Sequence, residues 1–203
     1  MSYSDFTLEM LKERFDLRVD ERPDLYAHLP PRAISSLLQE TLRDNVPLAL
    51  AISTEKARSE MIIAPILIEV RRQCPERVSL FSGVEFTVDP TQGLKGVCDF
   101  LLSRSPEQLA IEAPVVTVIE AKNENMKQGI AQALSVMVAA QLYNRQRQKN
   151  VPAVYGAVTT GSNWRFLQLT DNLVRIDLTE YYIREVERIV GILVWMLQEE
   201  PAP

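Results

Sequence analysis

The chain has 203 residues, of which 46% are hydrophobic and 24% charged, and a formal net charge of −5. That length holds one sizeable α/β domain and is marginal for two, and the balance is that of an ordinary globular protein. The acidic charge argues against a general nucleic-acid coater, which works through a basic surface and counterion release.

An enzyme of nucleic acids stays open, because a local basic cleft can coexist with a net acidic chain and a metal ion offsets carboxylate charge. No N-terminal stretch has the charged, apolar and small-residue order of a secretory signal. The apolar run at residues 189–197 is too short to cross a bilayer as a helix, so a cytoplasmic protein is expected. Cys74 and Cys98 make no C-x-x-C pair and read as buried free thiols. The one histidine, His28, sits in a proline-rich turn, which argues against a His-based triad or a multi-His zinc site.

Along the chain, Phe6, Leu8, Met10, Leu11, Phe15 and Leu17 recur at roughly helical spacing through residues 3–19, and Pro23 and Pro30-Pro31 end the pattern. A second helix is expected from residue 31 or 32 to about 44, with Ile34, Leu37, Leu38 and Leu42 on one stripe. Residues 47–52 read as a short strand. Residues 1–45 are therefore expected as an N-terminal helical extension packed on a domain of residues 46–203, since these segments cannot bury a core alone. Thr54 caps the next helix, on which Glu60, Ile63, Ala64 and Leu67 share a face that is otherwise apolar. Glu60 should therefore point toward the core, and Pro65 should bend or split the helix.

Residues 78–88 alternate as a strand, and Asp89-Pro90-Thr91-Gln92-Gly93 is a turn. Residues 96–103 and 115–121 are the next strands, the second being the most β-prone run in the chain. A long helix follows from about 126 to 147, then strands at 154–159, 164–169 and 173–178. Thr179 is expected to cap a final helix reaching about 198. The order implies an α/β fold: a mixed central sheet flanked by helices.

Three charges stand out on the two central strands. Pairing Ser103 with Val115 sets Asp99 opposite Ile119, and a shift of one residue sets it opposite Glu120. Directly opposed Cβ atoms are about 4.5–5.5 Å apart. Two unpaired carboxylates that close repel, and burial worsens the cost; Mg²⁺ or Mn²⁺ between them removes the conflict. Glu120 and Lys122 point to the same face. Ala121 turns to the core and leaves its carbonyl as a further oxygen ligand. A lysine there can orient or help deprotonate an attacking water and stabilise a phosphorane-like transition state. The bland alternative is that Asp99 and Glu120 are strand-end charges and Lys122 simply pairs with Glu120.

Gly96-Val97-Cys98-Asp99-Phe100 followed by Ile119-Glu120-Ala121-Lys122 resembles the motif of the PD-(D/E)XK superfamily of metal-dependent nucleases, which have the restriction-endonuclease-like fold. Ser59-Glu60-Met61-Ile62-Ile63-Ala64-Pro65 looks like that family's first core helix. Gln132 and its helix look like the segment after the catalytic strand. Residues 155–166 resemble the later strand pair of related nucleases, including the N-terminal nuclease domains of type I restriction motor subunits. The likeness covers roughly residues 46–199. It departs at Cys98, where the motif's name has proline.

The resemblance implies a metal-dependent nuclease that hydrolyses DNA or RNA phosphodiester bonds. Asp99, Glu120, Glu60 and the Ala121 carbonyl would hold Mg²⁺ (or Mn²⁺). Lys122 would manage the water, and Gln132 would join the site, with Gln128 a weaker candidate one turn earlier. DNA is the expected partner, and a homodimer would let two copies cut both strands. The alternative is a nuclease-like fold kept as a non-catalytic binding or assembly module, which the acidic balance favours. Arg145, Arg147 and Lys149 read as a solvated helix end, with phosphate contact as the sharper alternative. Trp164 reads as a turn-flanking core aromatic, with stacking of Trp164 and Arg165 on a base or phosphate as the alternative. Gly93-Leu94-Lys95-Gly96 lacks the spacing of a phosphate-binding loop.

Overall fold

Val115, Val116, Val118 and Ile119 form a β-branched run, and it becomes a strand with all seven of its residues buried. The computed structural model describes residues 1–74, 78–123 and 125–198; the end of the expected domain, 199–203, lies outside them. In chain order the elements are α1 (Leu8–Phe15), β1 (Arg18–Arg22), α2 (Ser36–Ile52), α3 (Glu55–Arg58), a π-helical turn (Ser59–Ile63), α4 (Ala64–Gln73), β2 (Ser79–Glu85), β3 (Val97–Ser103), β4 (Val115–Ala121), α5 (Met126–Gln146), β5 (Val154–Thr159), β6 (Asn163–Thr170), β7 (Leu173–Asp177), β8 (Tyr181–Tyr182) and α6 (Val186–Gln198).

The strands form one mixed sheet in the order β1-β7-β6-β5-β4-β3-β2, with the short β8 added to β6. Two pairs are parallel, β4 with β5 and β1 with β7. The crossover from β4 to β5 is α5, as a parallel pair requires. Each sheet face buries its own core. Ile66, Phe100, Ile119, Phe166 and Ile189 belong to one, on the side of α4 and α6. Leu101, Val118, Leu134, Met137 and Leu167 belong to the other, under α5. Two-sided burial explains why β4 and β5 read as continuous apolar runs rather than alternating ones. No described helix is long and apolar enough to cross a membrane.

The N-terminal third departs from the sequence reading. Residues 3–19 are not one helical stretch: α1 ends at Asp16 in the left-handed region (φ 51°), and the chain turns into β1, which pairs in parallel with β7 from Arg18 opposite Leu173. Arg18-Val19-Asp20-Glu21-Arg22 carries no apolar alternation, because it is a sheet edge that buries none of its residues. The first 45 residues thus add a strand to the same sheet, and the boundary expected at 45 falls inside α2.

Residues 47–52 are the last turns of α2 and not a strand. Leu48, Ala49, Leu50 and Ala51 are good helix formers, and the helix runs through Pro47 at the cost of the bond its missing N–H cannot make. Thr179 does not cap the last helix. Its hydroxyl accepts the Asp24 N–H at 2.9 Å, and β8 and a short 3-10 turn precede α6.

Pro65 does interrupt its helix, and the structure shows how. The Ala64 N–H reaches back five residues to the Ser59 carbonyl, so the turn before the proline widens to a π-helix. Pro65 has no N–H for the Met61 carbonyl. Asn45 of α2 supplies one: its Nδ2 donates to the Met61 oxygen at 3.0 Å.

Candidate active site

The β3–β4 ladder contains both registers weighed from the sequence. Ser103 lies opposite Val115, then the pairing shifts between Leu102 and Ser103, and Phe100 lies opposite Ile119. This bulge carries Asp99 level with Glu120, one step beyond the last paired residues. The Ala121 N–H donates to Asp99 Oδ2 at 2.8 Å, which fixes that carboxylate against the end of β4. On the other side of β3, Ser82 pairs with Phe100 and Val84 with Cys98, so Gly83 stands beside Asp99. Gly83 has φ +61° and open space where a Cβ would be. Glycine suits that backbone and leaves the approach to Asp99 clear.

Glu120 is 1% exposed and lies deeper than Asp99. Its Oε1 accepts the Lys122 ammonium at 2.7 Å. Its Oε2 is buried and, while Glu120 is ionised, has no donor among the described residues; a proton on Glu120 lets the carboxyl hydrogen-bond to the Asp99 carboxylate. Burial first, and then the neighbouring Asp99 carboxylate, push the Glu120 pKa up to about 8; Lys122 pulls the other way without cancelling them. The Cys98 thiol is raised well above its ordinary value by burial and then by the Glu120 and Asp99 charges, so it stays neutral beside them.

A cleft of about 290 Å³ opens beside Asp99, lined by Glu55, Lys56, Ser59, Glu60, Ser82, Gly83, Asp99 and Ala121; Glu120 and Lys122 lie behind Asp99 and Ala121 and are not among its lining residues. Lys122 carries its ammonium from the end of β4, just beyond Ala121. Its main-chain N–H donates to the Thr159 carbonyl at 2.8 Å, and the Glu55 charge also acts on it. Its stem passes the start of α5, where Gly129 allows the helix to come close.

Asp99, Glu120, Ala121 and Lys122 are therefore brought together. Glu60 reaches the rim of the cleft but does not face the core: its side chain is 60% exposed and pairs with Lys56 at 2.6 Å. The wider π turn changes the helical phase and takes Glu60 off the stripe of Ile63 and Leu67. Gln132 is half-buried in α5 and is not a lining residue of the cleft, and Gln128 is exposed in the first turn, where the Asn125 side chain caps its N–H at 3.0 Å.

Arg145 pairs with Asp171, and Arg147 stacks on the Tyr143 ring, at the far end of α5. That is roughly 30 Å of helix from Lys122. Trp164 is fully buried and its Nε1 donates to the Gly161 carbonyl, while Arg165 pairs with Glu180 at 2.8 Å, so both residues are held by internal partners. Cys74 and Cys98 are buried free thiols.

Sequence reasoning missed Glu55, Lys56, Ser59, Gly83 and Gly129. The two glycines carried a signal, each being isolated inside an element. Glu55 and Lys56 carried none beyond lying in the first turn after the Thr54 cap.

Neither the family models nor the curated protein sequences compared with the chain match it. Among the described residues no group of three or more His, Cys, Asp or Glu is placed to hold a metal ion. The donors at hand are two carboxylates and a main-chain carbonyl, all oxygen, the set that suits Mg²⁺ or Mn²⁺ and not zinc.

Proposed function

We propose that this protein is a metal-dependent nuclease with a restriction-endonuclease-like domain, acting on DNA through Asp99, Glu120 and Lys122. The observation that carries the reading is the buried Glu120 carboxyl set level with Asp99, whose Oε2 has no donor once it ionises. A buried carboxylate oxygen without a partner is costly, and a second carboxylate beside it raises the cost. A hard divalent cation shared with Asp99 offsets both charges, and the residues present fit one in donor chemistry. Asp99, Glu120 and the Ala121 carbonyl would hold it, with Glu60 at the rim. When bound, the cation would polarise a phosphate oxygen and acidify a water.

The remaining work falls to this chain's own groups. Asp99, held by the Ala121 N–H, keeps one carboxylate facing the cleft. Lys122 holds a proton donor and a positive charge where the water and the developing phosphate charge would meet. Gly83 keeps the approach clear for a chain of nucleotides.

The test is cleavage of single-stranded, duplex and branched substrates by the intact protein with Mg²⁺ or Mn²⁺, beside Lys122→Ala and Asp99→Asn. Metal-dependent cleavage by the native protein, lost in both variants, supports the reading. One observation favours the alternative, a non-catalytic binding or assembly module: Glu120 is shut behind its ion pair with Lys122. Absence of both cleavage and calorimetric Mg²⁺ or Mn²⁺ binding would favour that module.

A further inference from the structure

Gly129 lies one turn inside α5 and its backbone N–H donates to the Asn125 carbonyl at 3.1 Å. A glycine in a helix interior costs about 1 kcal/mol relative to alanine, so local helix preference does not explain it. Its surroundings do. A Cβ built at Gly129 would lie 2.5 Å from Val158 Cγ1 on β5 and 2.9 Å from Lys122 Cγ. Both distances are closer than side-chain carbons approach. Val158 is stiff at χ1 and fully buried, so it has nowhere to go. The Lys122 contact is at Cγ, in the middle of the stem and not at its free end. A methyl group here would therefore push the lysine stem aside and lift its ammonium from Glu120.

We propose that Gly129 is a positioning residue for Lys122: its missing side chain is the space through which the lysine stem passes between α5 and the sheet to reach Glu120. This rests on the reading of Lys122 as the group that manages the water. The placement itself is tested independently of any cleavage. The α5 helix thus has two jobs at its first turns, to cover β4 and β5 and to form one wall of the lysine's channel.

The experiment compares the native protein with Gly129→Ala, Val158→Ala and the double variant. Val158→Ala removes the first clash, so in the double variant the new methyl meets only the lysine stem. Each folded protein is treated with a limiting amine-acylating reagent, and the acylation of Lys122 is read by peptide mass spectrometry. Lys56 serves as the internal standard, because its side chain is 80% exposed and it lies on α3 rather than on β4 or α5.

Lys122, 15% exposed and ion-paired, should acylate slowly in the native protein and in Val158→Ala. It should acylate several-fold faster in the double variant, with Lys56 unchanged. If the native protein cleaves nucleic acid, kcat should fall in the double variant while KM holds. Unchanged Lys122 acylation in a folded Gly129→Ala or double variant overturns the proposal. So does failure of the double variant to fold when Val158→Ala folds normally, since only a movable lysine stem then stands in the way. Faster acylation in a protein whose native form cleaves nothing leaves the positioning intact and removes the nuclease reading instead.

Discussion

Lys122 Nζ lies 2.7 Å from Glu120 Oε1, while the other oxygen of the same carboxylate has no donor among the described residues. One ammonium thus holds half of a buried acid, and Asp99 crowds the whole of it. Lys122→Met keeps the length of the stem and removes the charge. If the native protein cleaves nucleic acid as proposed, the change should abolish that cleavage. It should also destabilise the protein by about 1–3 kcal/mol at pH 8, where the native Glu120 is partly ionised against Lys122 and the variant must take up a proton in its place. Chemical denaturation at pH 8 and pH 6 checks this, and the loss should be smaller at pH 6, where Glu120 can take a proton instead.

Glu120 also makes the stability of the protein depend on pH. Its pKa rises from 4.5 to about 8 on folding, so between those values the folded state holds a proton that the unfolded state has lost. The stabilisation from that proton is fully present below about pH 4.5 and is lost as pH rises to about 8. Its upper limit is roughly 5 kcal/mol, from 1.36 kcal/mol per pKa unit. Thermal melts of the metal-free protein should show Tm falling from pH 5 to pH 8. Glu120→Gln, neutral at every pH, should flatten that slope and raise Tm at pH 8, and should remove any cleavage the native protein shows. A native slope that Glu120→Gln leaves untouched would mean the carboxyl is ionised throughout.

A divalent cation should reverse the penalty. Binding to the folded state alone adds about 2.7 kcal/mol at 100 times the Kd. Because the cation competes with the proton on Glu120, Mg²⁺ or Mn²⁺ should raise Tm more at pH 8 than at pH 6. Asp99→Asn removes one of the two carboxylates and should remove the effect. An equal rise in Asp99→Asn would place the cation elsewhere, for instance among the exposed acids Glu55 and Glu60.

Much of this arrangement is legible in the sequence. The spacing of Glu120 and Lys122 set them on one side of a strand, and the two candidate registers bracketed Asp99 to within one residue. The bulge at Ser103 was not readable, because it depends on how the loop after β3 rejoins β4 and not on side-chain pattern. The phase of Glu60 was lost for a related reason. A strict 3.6-residue period puts it with Ile63 and Leu67, and the π turn before Pro65 breaks that period. In β1, Arg18-Val19-Asp20-Glu21-Arg22 has no apolar face to read, since backbone pairing with β7 rather than side-chain burial makes it a strand. The strands of the two-sided core, β4 and β5, were the most legible, because burial on both faces leaves a continuous apolar signature.

The π turn leads to the last prediction. It exists because Pro65 cannot bond the Met61 carbonyl, and the amide of Asn45 does so from α2 at 3.0 Å. Asn45 thus ties α2 to the turn that carries Ser59 and Glu60 into the cleft. Asn45→Ala should leave that half-buried carbonyl without its donor and cost about 1–2 kcal/mol, measured by urea denaturation. Asn45→Asp, which keeps the shape but offers an acceptor to an acceptor, should cost at least as much. Pro65→Ala restores an N–H that can reach the Met61 oxygen, so the turn can close to an ordinary α-helix. In that background Asn45→Ala should cost markedly less, a coupling that a double-mutant cycle reads directly. Additive losses would show that the amide and the proline act separately, and that the widened turn has another cause.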